Sequence, residues 1–107
     1  MRSRYAAYAK GLTSYIQDTT DPEGSHFQQD RAAWTRDLVD FCTKTRFLGL
    51  TLLETPPPQH NTGTVTFRVT LKQGEKDVSF TEQSRFRNVD GRWLYTDGAF
   101  PDNDSKP

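Results

Sequence analysis

Apolar residues recur at helical spacing through the first part of the chain and at every second position through the rest. Helices therefore come first and strands follow. Tyr5, Tyr8, Leu12, Tyr15 and Ile16 share one face of a helix predicted from Ser3 to Gln17, with Ser3 as its N-cap. Ala6, Ala7 and Ala9 add propensity, while Gly11 costs about 1 kcal/mol relative to alanine. Asp18 to Gly24 reads as a turn around Asp21-Pro22. A second helix is predicted from Phe27 to Lys44. Its stripe of Phe27, Trp34, Leu38, Phe41 and Cys42 is narrow, and Arg36 and Asp40 are spaced for a surface ion pair.

Alternation then takes over. The first strand spans Phe47–Glu54, with Leu48, Leu50 and Leu52 on one face, and Pro56, Pro57 and Pro58 end it. The second spans Thr64–Leu71, with Val65, Phe67, Val69 and Leu71 facing one way. Gly74-Glu75 turns the chain into a third strand, Lys76–Val89, in a register that sets Val69 opposite Phe80 and Phe67 opposite Glu82. Asp90-Gly91 makes a two-residue hairpin into the last strand. Carried outward, that hairpin pairs Phe86 with Tyr95 and Ser84 with Asp97. The expected fold is α+β, two N-terminal helices on a four-stranded antiparallel meander. Residues 1–98 make the domain and 99–107 a polar tail.

The register concentrates unusual chemistry. Glu82, Ser84, Phe86, Trp93, Tyr95 and Asp97 fall on one face, with Glu82 between Phe67 and Ala99 and Asp97 on its diagonal. A buried ionised carboxylate needs a partner or a wet pocket. Either Arg2 or Arg4 reaches over from the first helix, beside Tyr5, and clamps helix to sheet, or Glu82 and Asp97 face a pocket and serve as general acid and base. Ser84 is read as a hydrogen-bond donor to Asp97, since no histidine neighbours it to activate a nucleophile. Phe86, Trp93 and Tyr95 suit core packing or a pocket wall. On the opposite face Arg68, Arg85, Arg87 and Arg92 are expected to be solvated.

Composition narrows the classes. Fourteen basic and fourteen acidic residues cancel, which leaves no global field for nucleic acid or anionic lipid. One cysteine, Cys42, cannot form an internal disulfide and favours a reducing, cytoplasmic setting. No apolar run approaches the about 18 residues that suggest a membrane span. His26 and His60 make no zinc pattern with one cysteine, so neither metal nor cofactor is expected.

Three stretches carry a resemblance. Met1-Arg2-Ser3-Arg4-Tyr5-Ala6-Ala7-Tyr8, Thr45-Arg46-Phe47-Leu48-Gly49-Leu50, and Glu82-Gln83-Ser84-Arg85-Phe86 with Asp90-Gly91-Arg92-Trp93-Leu94-Tyr95-Thr96-Asp97-Gly98 resemble the middle domain of YchJ-like bacterial proteins. The resemblance implies a nuclear-transport-factor-2-like, or cystatin-like, fold: helices packed into a curved antiparallel sheet that forms a cone. Members commonly carry cysteine-rich, zinc-binding SEC-C motifs beside this domain. With a single cysteine, this chain gives no residues onto which that zinc site can be carried. The expectation is an excised domain or a natural short version. The resemblance implies no particular reaction, and the fold hosts both enzymes and binding modules. Three functions follow as expectations: a non-catalytic accessory domain binding a protein or small ligand in the cone, a pocket enzyme using Glu82 and Asp97, or a homodimerisation module.

Overall fold

A glycine in the left-handed region ends the first helix early. In the computed structural model, which describes residues 2–100, α1 spans Arg2–Lys10 and α2 spans Thr13–Asp18, where the sequence predicted one continuous helix. Gly11 has φ +71°, its N–H donates to the Tyr8 carbonyl, and the Leu12 N–H donates to the Ala7 carbonyl at 2.8 Å. This is the paired C-terminal capping pattern that glycine adopts without a Cβ penalty. Ser3 lies inside α1 and accepts a hydrogen bond from the Tyr15 hydroxyl, so it is not an N-cap.

The next helix, α3, spans Arg31–Lys44 and starts four residues later than predicted. Asp30 caps it by accepting from the Ala33 N–H. Phe27 reaches Trp34 from the preceding loop, edge to face at 5.2 Å. Asp40 pairs with Lys44 at 3.2 Å, and not with Arg36. An acid N-terminal to its base is the favoured order on a helix.

The sheet follows as β1 Arg46–Glu54, β2 Thr62–Gln73, β3 Lys76–Asp77, β4 Phe80–Val89 and β5 Arg92–Ala99. Its order is β1-β2-β4-β5, with the short β3 beside β2 and neighbours antiparallel. Val69 opposes Phe80 and Phe67 opposes Glu82, as the Gly74-Glu75 turn requires. The predicted third strand is broken at Val78-Ser79, where the Ser79 hydroxyl accepts from the Leu71 N–H at 2.9 Å and replaces a ladder bond. Asp90 and Gly91 have φ +54° and +86°, the two-residue hairpin turn read from the sequence.

One bulge changes the outer end of that hairpin. Phe86 opposes Tyr95, but Arg85 opposes Asp97 and Ser84 opposes Gly98, so Thr96 is an extra residue in β5. The slip follows from a segment outside the hairpin. Residues 19–21 lie along the free edge of β5, where the Tyr95 N–H donates to the Thr19 carbonyl and the Asp21 N–H to the Tyr95 carbonyl, both at 2.8 Å. Ala99 is still in β5, opposite Gln83, and Phe100 packs edge-on against Phe80, so ordered structure continues past the predicted end at Gly98. The rest of the predicted tail lies outside the described residues.

The helices cover one face of the sheet. Ala7, Ile16, Trp34 and Leu38 form one buried cluster, and Phe67, Val69 and Leu71 another. Tyr5, Tyr8, Phe41 and Phe47 join them through edge-to-face and tilted contacts at 5.9–6.5 Å. Among the described residues no helix is long and apolar enough to cross a membrane.

Candidate functional site

Between the helices and the covered face of the sheet lies a cavity of about 390 Å³. Aromatic side chains from six elements wall it: Tyr5 and Tyr8 from α1, Trp34 and Phe41 from α3, Phe47 from β1, Phe67 from β2, Phe80 from β4 and Tyr95 from β5. They converge because the strands alternate with period two and the helices offer their apolar stripe. His26, Gln28 and Asp37 line the cavity yet are solvent-exposed, and so mark its mouth.

One end is polar. Glu82 Oε2 accepts from the Ser84 hydroxyl and from the Tyr95 phenol, each at 2.8 Å. Ser84 is completely buried, and Tyr95 packs edge-on against Phe86 at 5.8 Å. Oε1 has no hydrogen-bond partner among the described residues, and no buried side-chain oxygen or nitrogen there is left unsatisfied. That oxygen therefore opens onto the cavity. Gly98 makes room for the carboxylate, since a Cβ at that position would stand 2.0 Å from Oε2. Burial, together with the facing Glu82 charge, raises the Tyr95 phenol far above the ordinary tyrosine range.

Arg4 is buried, only 7% exposed, but it does not pair with Glu82. Its Nη1 donates to the Thr19 hydroxyl at 2.6 Å and to the Ile16 carbonyl at 3.3 Å. The guanidinium lies 4.7 Å from the centre of the Tyr95 ring. The expected arginine–carboxylate clamp is thus replaced by a relay in which the cation rests on the Tyr95 face and the Tyr95 hydroxyl binds Glu82. Burial lowers the Arg4 pKa. Arg2 is exposed and forms no ion pair among the described residues.

Asp97 leaves the expected group. The Thr96 bulge puts it opposite Arg85, which grips it with Nε and Nη2 and lowers its pKa. Ser84 accordingly bonds Glu82 and not Asp97, and Ala99 faces Gln83 and not Glu82. The acid–base pair read from an unbulged hairpin does not form. Trp93 keeps the face of Tyr95 but is 41% exposed, beyond the cavity wall.

The sequence reading missed two participants. His26 stacks obliquely on Tyr95 at 5.4 Å and was visible only as a loop histidine. Asp21 is 1% exposed and bound by Arg87, Thr96 and the Glu23 N–H, although Asp21-Pro22 looked like simple turn chemistry. Cys42 is half-buried, and burial raises its thiol pKa, which leaves it a poor nucleophile. Among the described residues no three His, Cys, Asp or Glu side chains are grouped to hold a metal.

Comparison with known proteins gives one consistent family. Residues 1–98 match the family described as YchJ, middle NTF2-like domain. A UPF0225 protein of Streptomyces coelicolor is 40% identical over 105 residues, covering 95% of this chain and 73% of that protein. One from Vibrio vulnificus is 33% identical over 107 residues, and this chain spans only 61% of its length. The solution structure of a SEC-C motif containing protein from Rhodopseudomonas palustris superposes with a TM-score of 0.78 at 35% identity, covering 95% of this chain and 76% of that one. The nuclear-transport-factor-2-like cone and the α+β architecture agree with these relatives. This chain belongs to the YchJ family, whose middle NTF2-like domain its residues 1–98 match.

Proposed function

We propose that the domain is a non-catalytic binding module whose cone cavity takes a small, largely apolar molecule carrying one hydrogen-bond donor. The observation that carries this reading is a cavity of about 390 Å³ with aromatic walls and, at its polar end, an acceptor without a partner among the described residues, Glu82 Oε1. Its volume is at the small end of the roughly 300–1,000 Å³ usual for ligand pockets. The walls supply affinity by burial, and the donor fixes orientation. Against catalysis stands the placement of Asp97 on the other face, already neutralised by Arg85. A retained ligand or partner in the cone also fits an accessory role beside the SEC-C motif for which the Rhodopseudomonas relative is named. The half-buried free thiol of Cys42 fits a reducing cytoplasm.

Benzyl alcohol, with toluene as its donor-free control, tests the reading by two-dimensional amide NMR. The expected result is saturable shifts at Tyr8, Trp34, Phe67 and Glu82, tighter for the alcohol, with that preference erased in Glu82→Ala. Absence of saturable shifts at those residues for both probes overturns it.

A further inference from the structure

Arg4 lines the cone cavity and also a second groove, of about 510 Å³. The groove's apolar surface comes from Pro56, Pro58, Phe86 and the exposed indole of Trp93. Ser3, Tyr15, Thr19 and Thr64 bring hydroxyls, and Arg4 and Arg92 bring positive charge. Among the described residues no aspartate or glutamate lines it.

Neither arginine has a carboxylate partner among the described residues. Arg4 is more than nine-tenths buried, and both of its hydrogen bonds run from Nη1 to neutral oxygens. Nε and Nη2 make no hydrogen bond of ordinary geometry among the described residues, and Arg4 lines both the groove and the cone. Arg92 Nη2 donates to the Asp18 carbonyl at 3.2 Å, while the Asp18 carboxylate is taken by Arg31 at 3.0 Å. A buried guanidinium without a carboxylate partner is costly, and one that shares a groove with a second such cation is suited to an incoming anion. The flat indole and the two prolines fit an apolar or aromatic body attached to that anion.

We propose that this groove is a second binding site, distinct from the cone, for a small organic oxyanion: a carboxylate or phosphate on an aromatic or apolar body. The oxyanion meets Arg4 and Arg92, and the body lies on Trp93.

The two tryptophans separate the sites, since Trp93 lines the groove and Trp34 the cavity. The test follows both indole N–H signals during titration with 2-naphthoate, 2-naphthyl phosphate and the neutral control 2-naphthamide. The expected result is a saturable shift of Trp93 with Trp34 unmoved, for one or both anions, and an affinity about tenfold weaker for the amide. Whichever anion binds more tightly identifies the oxyanion. Arg92→Gln, a change at an exposed residue, should weaken anion binding by about tenfold, and added salt should do likewise. Arg4→Lys should weaken it while leaving the Trp34 signal in place, because the lysine keeps charge but loses the fork. Equal binding of amide and anion, a shift of Trp34 alone, or no saturable shift of Trp93 overturns the proposal.

Discussion

Arg87 grips Asp21 across 66 residues of chain, its Nε and Nη2 meeting the two carboxylate oxygens at 2.8 and 2.7 Å. Asp21 is essentially inaccessible, and Thr96 adds a third side-chain hydrogen bond at 3.1 Å. This pair staples the segment between α2 and α3 onto the bulged edge of β5. It fixes the loop that carries His26 to the mouth of the cavity.

The Asp21 pair makes stability depend on acid pH. Its carboxyl is lowered from 3.8 to about 2, mainly by the Arg87 hydrogen bonds. On acidification the unfolded carboxyl takes up a proton near its ordinary value while the folded one resists until about pH 2. The stabilisation is therefore complete above the ordinary carboxyl range and lost as pH falls through that interval. A full shift of this size corresponds to about 2 kcal/mol, and the partial exposure of Arg87 lowers the expectation to roughly 1–2 kcal/mol. Urea unfolding of wild type and Asp21→Asn from neutral pH downward should show a gap that narrows across this window. A gap independent of pH would contradict the assignment.

Alkaline pH acts on Tyr95 in the opposite sense. Its folded phenol is held protonated by burial and by Glu82, whereas the unfolded phenol ionises near about pH 10. Stability should fall as pH rises above that value, because only the unfolded state releases the proton. Tyr95→Phe removes this slope but leaves Glu82 with Ser84 alone, at a cost of about 1 kcal/mol near neutrality. Denaturant curves of the two proteins, taken at neutral pH and above the tyrosine range, should converge with rising pH. Parallel curves would mean that Tyr95 ionises as readily in the fold as outside it.

Gly24 tests the bulge itself. A Cβ there would stand 2.2 Å from the Thr96 carbonyl oxygen, which is backbone and cannot rotate aside. Gly24→Ala should cost about 1–3 kcal/mol. Amide exchange should also quicken at Asp21 and Tyr95, whose N–H groups join this segment to β5. Unchanged exchange at both amides would show that the segment tolerates displacement.

The readable and unreadable parts of the sequence divide on range. Gly74-Glu75 and Asp90-Gly91 set local registers that alternation then propagates, so Phe67–Glu82 and Phe86–Tyr95 were legible. The Thr96 bulge was not, because its cause is a segment some 75 residues earlier, where Asp21 accepts from the Thr96 hydroxyl. Asp97 and Glu82 were placed on one face for want of that single residue. Arg2 and Arg4 both stood as partners for Glu82, but Arg4 meets the face of Tyr95 instead, and no spacing rule announces a ring. Gly11 reads from the sequence only as a cost, because its role as a left-handed cap needs the Ala7 and Tyr8 carbonyls in place.

Gly98 and Glu82 should behave as one unit. An added methyl at 98 would stand 2.0 Å from Oε2 and 2.5 Å from Cδ, so Glu82 must swing away. Doing so breaks the bonds from Ser84 and Tyr95, and Ser84 has no access to solvent with which to replace its own. Gly98→Ala should therefore cost about 1–3 kcal/mol. Glu82→Ala alone should cost about 1–2 kcal/mol, since it strands the same two hydroxyls. In the double variant the methyl meets no carboxylate, and the hydroxyls are lost only once. The combined cost should fall short of the sum by about 1 kcal/mol or more, read from a double-mutant cycle in urea. Strict additivity would mean that Gly98 is required for some other reason, and that the seat of Glu82 does not depend on it.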